Sequence, residues 1–148
     1  MKLDYQPNGT HHGDVVLQVG SWTTRCDSYF FGLDRAAGRP APQASLRALL
    51  AGWQAEVQAC DQGGVAWLPY DFSDQGSGWL RCTLYSDVFE VVAGYSSLEG
   101  WAFYPSGFRG GVARLSDFQV LEDFGRARRR ERAALIEDIR ASHARLQR

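Results

Sequence analysis

The chain has 148 residues, of which 45% are hydrophobic and 22% are charged, and its formal net charge at pH 7 is −1. This composition excludes a disordered polypeptide and predicts a single globular domain over residues 1–148. No stretch approaches the roughly 20 apolar residues of a membrane span, and the first residues lack the apolar core of a secretory signal. We therefore expect a cytoplasmic protein with no membrane partner.

Cysteine and arginine usage give two further expectations. The three cysteines, Cys26, Cys60 and Cys82, form no CxxC pair, and their odd number argues against a disulfide framework. We therefore expect reduced, buried thiols. Of the sixteen basic residues only Lys2 is a lysine, a bias that favours a GC-rich, bacterial genome.

The first half of the chain predicts a β-hairpin and a helix. Residues 14–19 and 22–31 have the pattern of strands separated by a Gly-Ser turn, and residues 32–42 form a loop rich in glycine and proline. An amphipathic helix follows over residues 43–59. Its apolar side chains recur at spacings of three and four residues; they are Leu46, Leu49, Leu50, Trp53 and Val57.

The second half predicts further strands and a long helix. A short strand at residues 65–68 precedes two alternating strands, 79–85 and 88–95, that a tight Ser-Asp turn connects. One more short strand is expected at residues 101–104. Residues 106–122 are compatible with a loop or with a short helical segment.

The longest helix is predicted over residues 123–146, with a thin apolar stripe. The stripe consists of Leu135, Ile136, Ile139 and Leu146. The order strands, helix, strands, helix predicts an α+β fold, in which a mainly antiparallel sheet packs against the helices at residues 43–59 and 123–146.

Charge is distributed unevenly along the chain. Residues 126–148 contain eight arginines and three acids, whereas residues 1–125 contain eight basic residues and fourteen acids. We favour a solvated basic helix over residues 123–148 whose arginines pair with acids. The alternative is nucleic-acid contact, but the slightly negative whole chain and the lack of a recognition motif argue against it. That contact would use Arg126, Arg128, Arg129 and Arg130.

The most informative segment runs from Trp67 to Trp79, where acids and aromatics crowd a turn between two apolar stretches. Aromatic side chains supply contact energy at interfaces, and acids accelerate and select encounter with a basic partner. The segment therefore predicts an acidic, aromatic docking surface for a partner protein. The predicted binding residues are Tyr70, Asp71, Phe72, Asp74, Trp79, Glu99 and Trp101.

The same acids allow two other interpretations. Asp71 and Asp74, joined by Glu99 or Asp117, have the oxygen ligands that a hard cation prefers, and with His12 they would form the site of a small hydrolase or metal-dependent enzyme. More simply, both aspartates shape the turn by bonding to its backbone. We favour the turn-shaping role over the metal, and we expect no cofactor.

Other chemical patterns are incomplete, so no catalytic residue is assigned. Residues 94–98 have a leucine where the nucleophile elbow needs its last glycine. A pairing of His11, His12 or His143 with a cysteine is neither supported nor excluded. The glycine-rich residues 107–111 contain an arginine and could cradle an anion, but they lack a phosphate-loop fingerprint, and we favour a plain mobile loop.

Two stretches of the chain resemble short bacterial proteins of uncharacterised families, some of them immunity proteins of toxin systems. The first stretch is residues 68–74 with Gly78-Trp79, and the second is residues 99–105. The resemblance extends over about a quarter of the chain. It implies a binding protein and carries over no functional residue. The leading hypothesis is therefore a bacterial protein-interaction module, an immunity or accessory factor. Self-association through the solvent face of the hairpin at residues 79–95 would make the partner a second copy, in a homodimer.

Overall fold

The computed structural model describes residues 1–38 and 42–148, and it confirms the α+β class with two antiparallel sheets and several helices. The strands are β1 (Lys2–Tyr5), β2 (Val15–Val19), β3 (Trp22–Cys26), β4 (Val65–Ser73), β5 (Gly76–Tyr85), β6 (Val88–Ser96), β7 (Gln119–Val120) and β8 (Arg128–Glu131). The α-helices are α1 (Tyr29–Leu33), α2 (Gln43–Ala59), α3 (Arg109–Val112) and α4 (Arg132–Arg145). Short 3₁₀ turns occupy Arg35–Ala37, Pro105–Gly107 and Glu122–Phe124.

The first sheet has the strand order β1-β2-β3. The predicted hairpin of β2 and β3 is confirmed, and its turn contains Gly20 at φ +60. Strand β3, the second strand of this hairpin, ends at Cys26 rather than at the predicted residue 31, because the chain then turns into α1. Strand β1 was not predicted, since four residues with only Leu3 buried leave no alternating pattern.

Helix α2 begins at Gln43 and ends at Ala59, as its apolar spacing predicts, and all five residues of the apolar stripe are buried. The loop predicted in front of it includes residues 39–41, which lie outside the described ranges. A Cβ on Gly52 would lie 2.6 Å from the ring of Phe108. The absence of that Cβ lets α2 pack closely against the segment that follows β6.

The second sheet has the order β4-β5-β6, and both β7 and β8 pair with β6. The predicted hairpin of β5 and β6 is confirmed. Ser86 and Asp87 adopt φ values of 47 and 67 at its turn, the left-handed backbone that a two-residue hairpin turn requires. Strand β4 is longer than predicted, since it continues to Ser73 through a register shift between Pro69 and Asp71.

The C-terminal helix is shorter than predicted. Residues 128–131 form β8, which pairs with residues 88–91 of β6, and α4 begins only at Arg132. Residues 128–131 are all charged and show no alternation of apolar and polar side chains, so the sequence pattern predicted a helix there instead of a strand. Residues 101–104 form turns rather than the predicted strand. They belong to residues 97–118, which we call the covering segment because it packs over one end of the second sheet.

One continuous core joins both sheets and the helices. Cys26 and Cys82 are buried free thiols, as predicted, and Cys60 is half-buried. In the part of the chain that the structure describes, none of the helices has both the length and the apolar composition that crossing a bilayer requires.

Candidate functional site

Three of the predicted binding residues belong to the core. Tyr70, Phe72 and Trp79 are 3%, 1% and 0% exposed, so the prediction that they border a docking surface is wrong. The covering segment closes over Phe72 and Trp79, since Phe103 packs against them with ring centroids 5.4 and 5.5 Å apart, whereas Tyr70 packs against Trp22. The indole N–H of Trp79 donates to the Ser77 hydroxyl at 2.7 Å, which satisfies its polar atom inside the core.

Trp101 and Tyr104 of the covering segment are exposed by 67% and 62%. The Gly100 N–H donates to the Ser73 carbonyl at 2.7 Å, which fixes this part of the covering segment next to the turn after β4. A Cβ on Gly100 would lie 2.7 Å from the Ser73 nitrogen, so this close approach requires glycine. We call four side chains from the turn and the adjoining part of the segment the acidic aromatic surface; they are Asp74, Glu99, Trp101 and Tyr104.

Acidic side chains dominate the charge near this surface. Asp74 is exposed and Glu99 is half-buried. Asp117 accepts a hydrogen bond from the Ser96 hydroxyl at 2.8 Å, and this bond, with those from Ser97, lowers the pKa of its carboxyl. A guanidinium is also present, since Arg114 donates to the backbone of the covering segment at 2.9 Å.

Asp71 has a different environment from Asp74. It lies half-buried on β4 beside the Cys26 thiol, and burial, followed by repulsion from Asp27, raises the pKa of its carboxyl. Asp74 is exposed in the turn after β4. Within residues 1–38 and 42–148, no three histidine, cysteine, aspartate or glutamate side chains converge as metal ligands would.

His11 and His12 stabilise the loop before β2. His12 Nδ1 lies 3.0 Å from Asp27 Oδ2. His11 Nδ1 lies 3.2 Å from the Ser28 hydroxyl, which itself donates to Asp14 at 2.7 Å. In a serine nucleophile the imidazole stands between the hydroxyl and the carboxylate, whereas here the buried serine stands between the other two. This geometry ties down the loop and does not activate Ser28.

The glycine-rich residues 107–111 already have protein partners. The Arg109 guanidinium pairs with Glu56 at 2.7 Å, and a Cβ on Gly111 would press on the ring of Phe103. The cation that would attract an anion is therefore engaged by a carboxylate.

Sequence reasoning missed a cavity of about 400 Å³ that lies between the turn after β2, β6, β8 and α4. The arginine run at residues 126–130 was its signal, but a helical assignment placed those side chains on a solvated surface. The cavity appears only when β8 pairs with β6, which directs Arg128 toward Gly20 in the turn of the first sheet. Its apolar floor and basic rim consist mainly of Val19, Val91, Leu135, Arg128, Arg129 and Arg130.

Comparison with known proteins adds no relative. No family model, no curated protein and no solved structure matches the chain. The surface and the cavity are therefore interpreted from their own chemistry.

Proposed function

We propose that the protein is a protein-interaction module that binds a basic partner protein through the acidic aromatic surface. The observation that carries this proposal is Trp101, which is 67% exposed although the turn that bears it is fixed against the β4–β5 hairpin by the bond from Gly100. Large exposed aromatics next to one another are characteristic of interface hot spots.

Preorganisation supports the same proposal. Phe103, between Trp101 and Tyr104 in the chain, is 8% exposed and packs on Phe72 and Trp79 of the second sheet. The backbone that carries the exposed rings is therefore anchored in the core on its inner side. A partner that contacts these rings does not have to order a flexible loop first, which lowers the entropic cost of binding.

The charge of the surface defines the partner. The surface contains the carboxylates of Asp74 and Glu99, and Asp117 lies on the covering segment with Glu99. These negative charges favour encounter with lysine- or arginine-rich surfaces and disfavour acidic ones. An immunity or accessory factor that captures a basic toxin or effector protein would use such a surface. A second copy of this chain is a less favoured partner for this site, because two acidic surfaces would repel each other.

The test is a quantitative pull-down from the native host with C-terminally tagged protein. The parent is compared with Trp101→Ala and with the double variant Asp74→Asn/Glu99→Gln. Tyr85→Ala is the matched control, since Tyr85 is also an exposed aromatic, 51% exposed, but lies at the turn end of β5. We expect one protein to be enriched by the parent and the control and depleted in both surface variants.

The affinity of the captured protein then provides the decisive number. We expect Trp101→Ala to weaken binding at least tenfold, or ~1.4 kcal/mol, and the double variant to lose most of the salt dependence of binding. Equal affinity of the parent and both surface variants for every captured protein would contradict the proposal. Sedimentation of the purified parent shows whether a dimer forms, and a dimer that persists in Trp101→Ala would place self-association elsewhere.

A further inference from the structure

The cavity beside β8 combines an apolar floor with a cationic rim. Val19, Val91 and Leu135 are 4%, 2% and 1% exposed and form its floor. Its volume, about 400 Å³, falls within the range of small-molecule sites. The floor can therefore accept an apolar group, while the rim determines which charge that group must carry.

Two of the rim arginines are held in place by the protein. Arg128 lies over the ring of Phe124, with its guanidinium carbon 4.6 Å from the ring centroid, and it donates to the Phe124 carbonyl at 2.9 Å. Arg130 donates two hydrogen bonds of 2.8 Å to Asp138. Both guanidinium groups are thus preorganised, which reduces the entropy that a ligand would have to remove.

Arg128 differs from Arg130 in its partners. Within residues 1–38 and 42–148 it makes no salt bridge, since its hydrogen bonds go to the carbonyls of Phe124 and Arg126. Both of these bonds come from the same terminal nitrogen, so the other N–H groups of the guanidinium can bind a carboxylate or a phosphate. Arg129 stands opposite Glu90 in the pairing of β8 with β6, so its side chain lies on the other face of the sheet from Val91.

The charge at the rim is not balanced. The guanidinium groups of Arg128 and Arg130 lie on the cavity side of β8. Asp138 pairs with Arg130 and also accepts a 2.6 Å bond from the N-terminal ammonium. Residues 126–130 contain four arginines and no acid. An anion would therefore find uncompensated positive charge directly above buried apolar side chains.

We propose that this cavity binds a small amphipathic anion, a carboxylate or a phosphate monoester carried on an apolar chain or ring. The anionic group pairs with Arg128 at the rim and gains long-range attraction from Arg129 and Arg130. The apolar group covers Val91 and Leu135. Both parts are needed, because the guanidinium groups alone would be satisfied by water and inorganic ions.

The test is a calorimetric titration of the full chain with octanoate, octyl phosphate and 1-octanol as a neutral control. The protein carries its tag at the C terminus, because Met1 lines the cavity. We expect at least one of the two anions to bind tenfold or more tightly than the alcohol, and the preferred anion identifies the headgroup. Methyl resonances of Val91 and Leu135 should shift at the same ligand concentrations, which locates the ligand without any substitution.

Arg128→Gln should weaken binding of the preferred anion at least fivefold. Arg140→Gln is the matched control, since it removes the same charge from α4, where Arg140 pairs with Glu137 away from the cavity. Absence of saturable binding at ligand concentrations up to ~1 mM would overturn the proposal, because a Kd of ~1 mM corresponds to a binding free energy of only about 4 kcal/mol. The proposal would also be overturned by equal binding of octanol and the anions, equal binding of inorganic phosphate and octyl phosphate, or unchanged affinity in Arg128→Gln. Binding of a DNA oligonucleotide that depends on Arg129, with no binding of the octyl anions, would replace the proposal with a nucleic-acid contact.

Discussion

Asp71 shows how the environment of one residue reverses the effect expected from its charge. Burial raises the pKa of this carboxyl, and Asp27 adds repulsion. A raised pKa in the folded state means that ionisation opposes folding. The cost is absent below the unfolded pKa of ~3.9, grows as the pH rises through the folded pKa, and is fully present above it.

Asp71→Asn should therefore stabilise the protein at pH 7. The amide keeps an oxygen that can accept from the Cys26 thiol, and it removes the buried charge. We expect a rise in Tm of about 3 °C at pH 7, corresponding to ~1 kcal/mol for a domain of this size, and no rise at pH 3, where both side chains are neutral. Asp74→Asn makes the same chemical change in the exposed turn and should leave Tm unchanged at both values. A fall in Tm for Asp71→Asn, measured by calorimetry, would mean that its carboxylate has a stabilising partner.

Single-residue exposure was the part of the site that the sequence could not predict. Residues 69–78, between two predicted strands, were interpreted as a turn because their acids and glycines are typical of turns, yet they form the end of β4, a two-residue turn and the start of β5. Tyr70 and Phe72 are buried by Phe31, Trp22 and Phe103 from distant parts of the chain. Local patterns contain no information about such coverage, so the exposed residues Asp74 and Trp101 could not be distinguished from the buried ones.

At the scale of elements, the covering segment depends on glycine where it touches the β4–β5 hairpin. A Cβ on Gly100 would lie 2.7 Å from the Ser73 nitrogen and 2.8 Å from the Phe72 Cβ. Both are fixed backbone or near-backbone atoms, so the segment must move rather than a side-chain tip. Gly100→Ala should therefore displace Trp101 and weaken the packing of Phe103.

We expect Gly100→Ala to lower the free energy of unfolding by about 1–3 kcal/mol, the usual cost of overpacking. The tryptophan fluorescence of the folded state should also change, because Trp101 moves. Gly107→Ala is the control in the same segment, since its Cβ would meet no atom within 4 Å. Equal urea midpoints for the two variants would show that the segment is not held through Gly100.

Elements with a strong local period were predicted well, and elements defined by partners were not. Helix α2 and the β5–β6 hairpin repeat their apolar residues at spacings of 3.6 and 2, so both were predicted from the sequence, although β5 begins at Gly76 rather than at residue 79. Strand β8 has the sequence Arg-Arg-Arg-Glu and exists because β6 offers it backbone hydrogen bonds. The cavity beside β8 was missed for the same reason, since it is created by that pairing.

At the scale of the molecule, α4 connects the two sheets. It follows β8 of the second sheet directly, and it packs on β1 of the first. The Leu3 N–H donates to the Ser142 hydroxyl at 3.0 Å, and Arg145 pairs with Asp4 at 2.9 Å. Four arginines of the C-terminal region thus pair with acids of the fold, as the uneven charge distribution led us to expect, although part of the basic region is a strand; they are Arg130, Arg132, Arg140 and Arg145.

Asp138 is the centre of this connection, because it accepts from Arg130 of β8 and from the N-terminal ammonium before β1. Partial burial acts to raise the pKa of its carboxyl, but the hydrogen bonds from these two cations outweigh it and the pKa is lowered. A lowered folded pKa stabilises the fold above the unfolded pKa, and this stabilisation is lost as the pH falls through the folded pKa.

Asp138→Asn should lower the free energy of unfolding at pH 7 by about 2 kcal/mol, the usual contribution of charged hydrogen bonds that are partly shielded from water. The difference from the parent should shrink as the pH falls below the unfolded pKa of ~3.9, since the parent carboxyl then becomes protonated. Glu137→Gln removes the same charge from the neighbouring residue, whose side chain is 68% exposed and pairs with Arg140, so its effect at pH 7 should be small. Urea unfolding of the three proteins across this pH range measures the difference. If Asp138→Asn and Glu137→Gln had the same small effect, the two sheets would be held together by the apolar contacts of α4 rather than by this charge network.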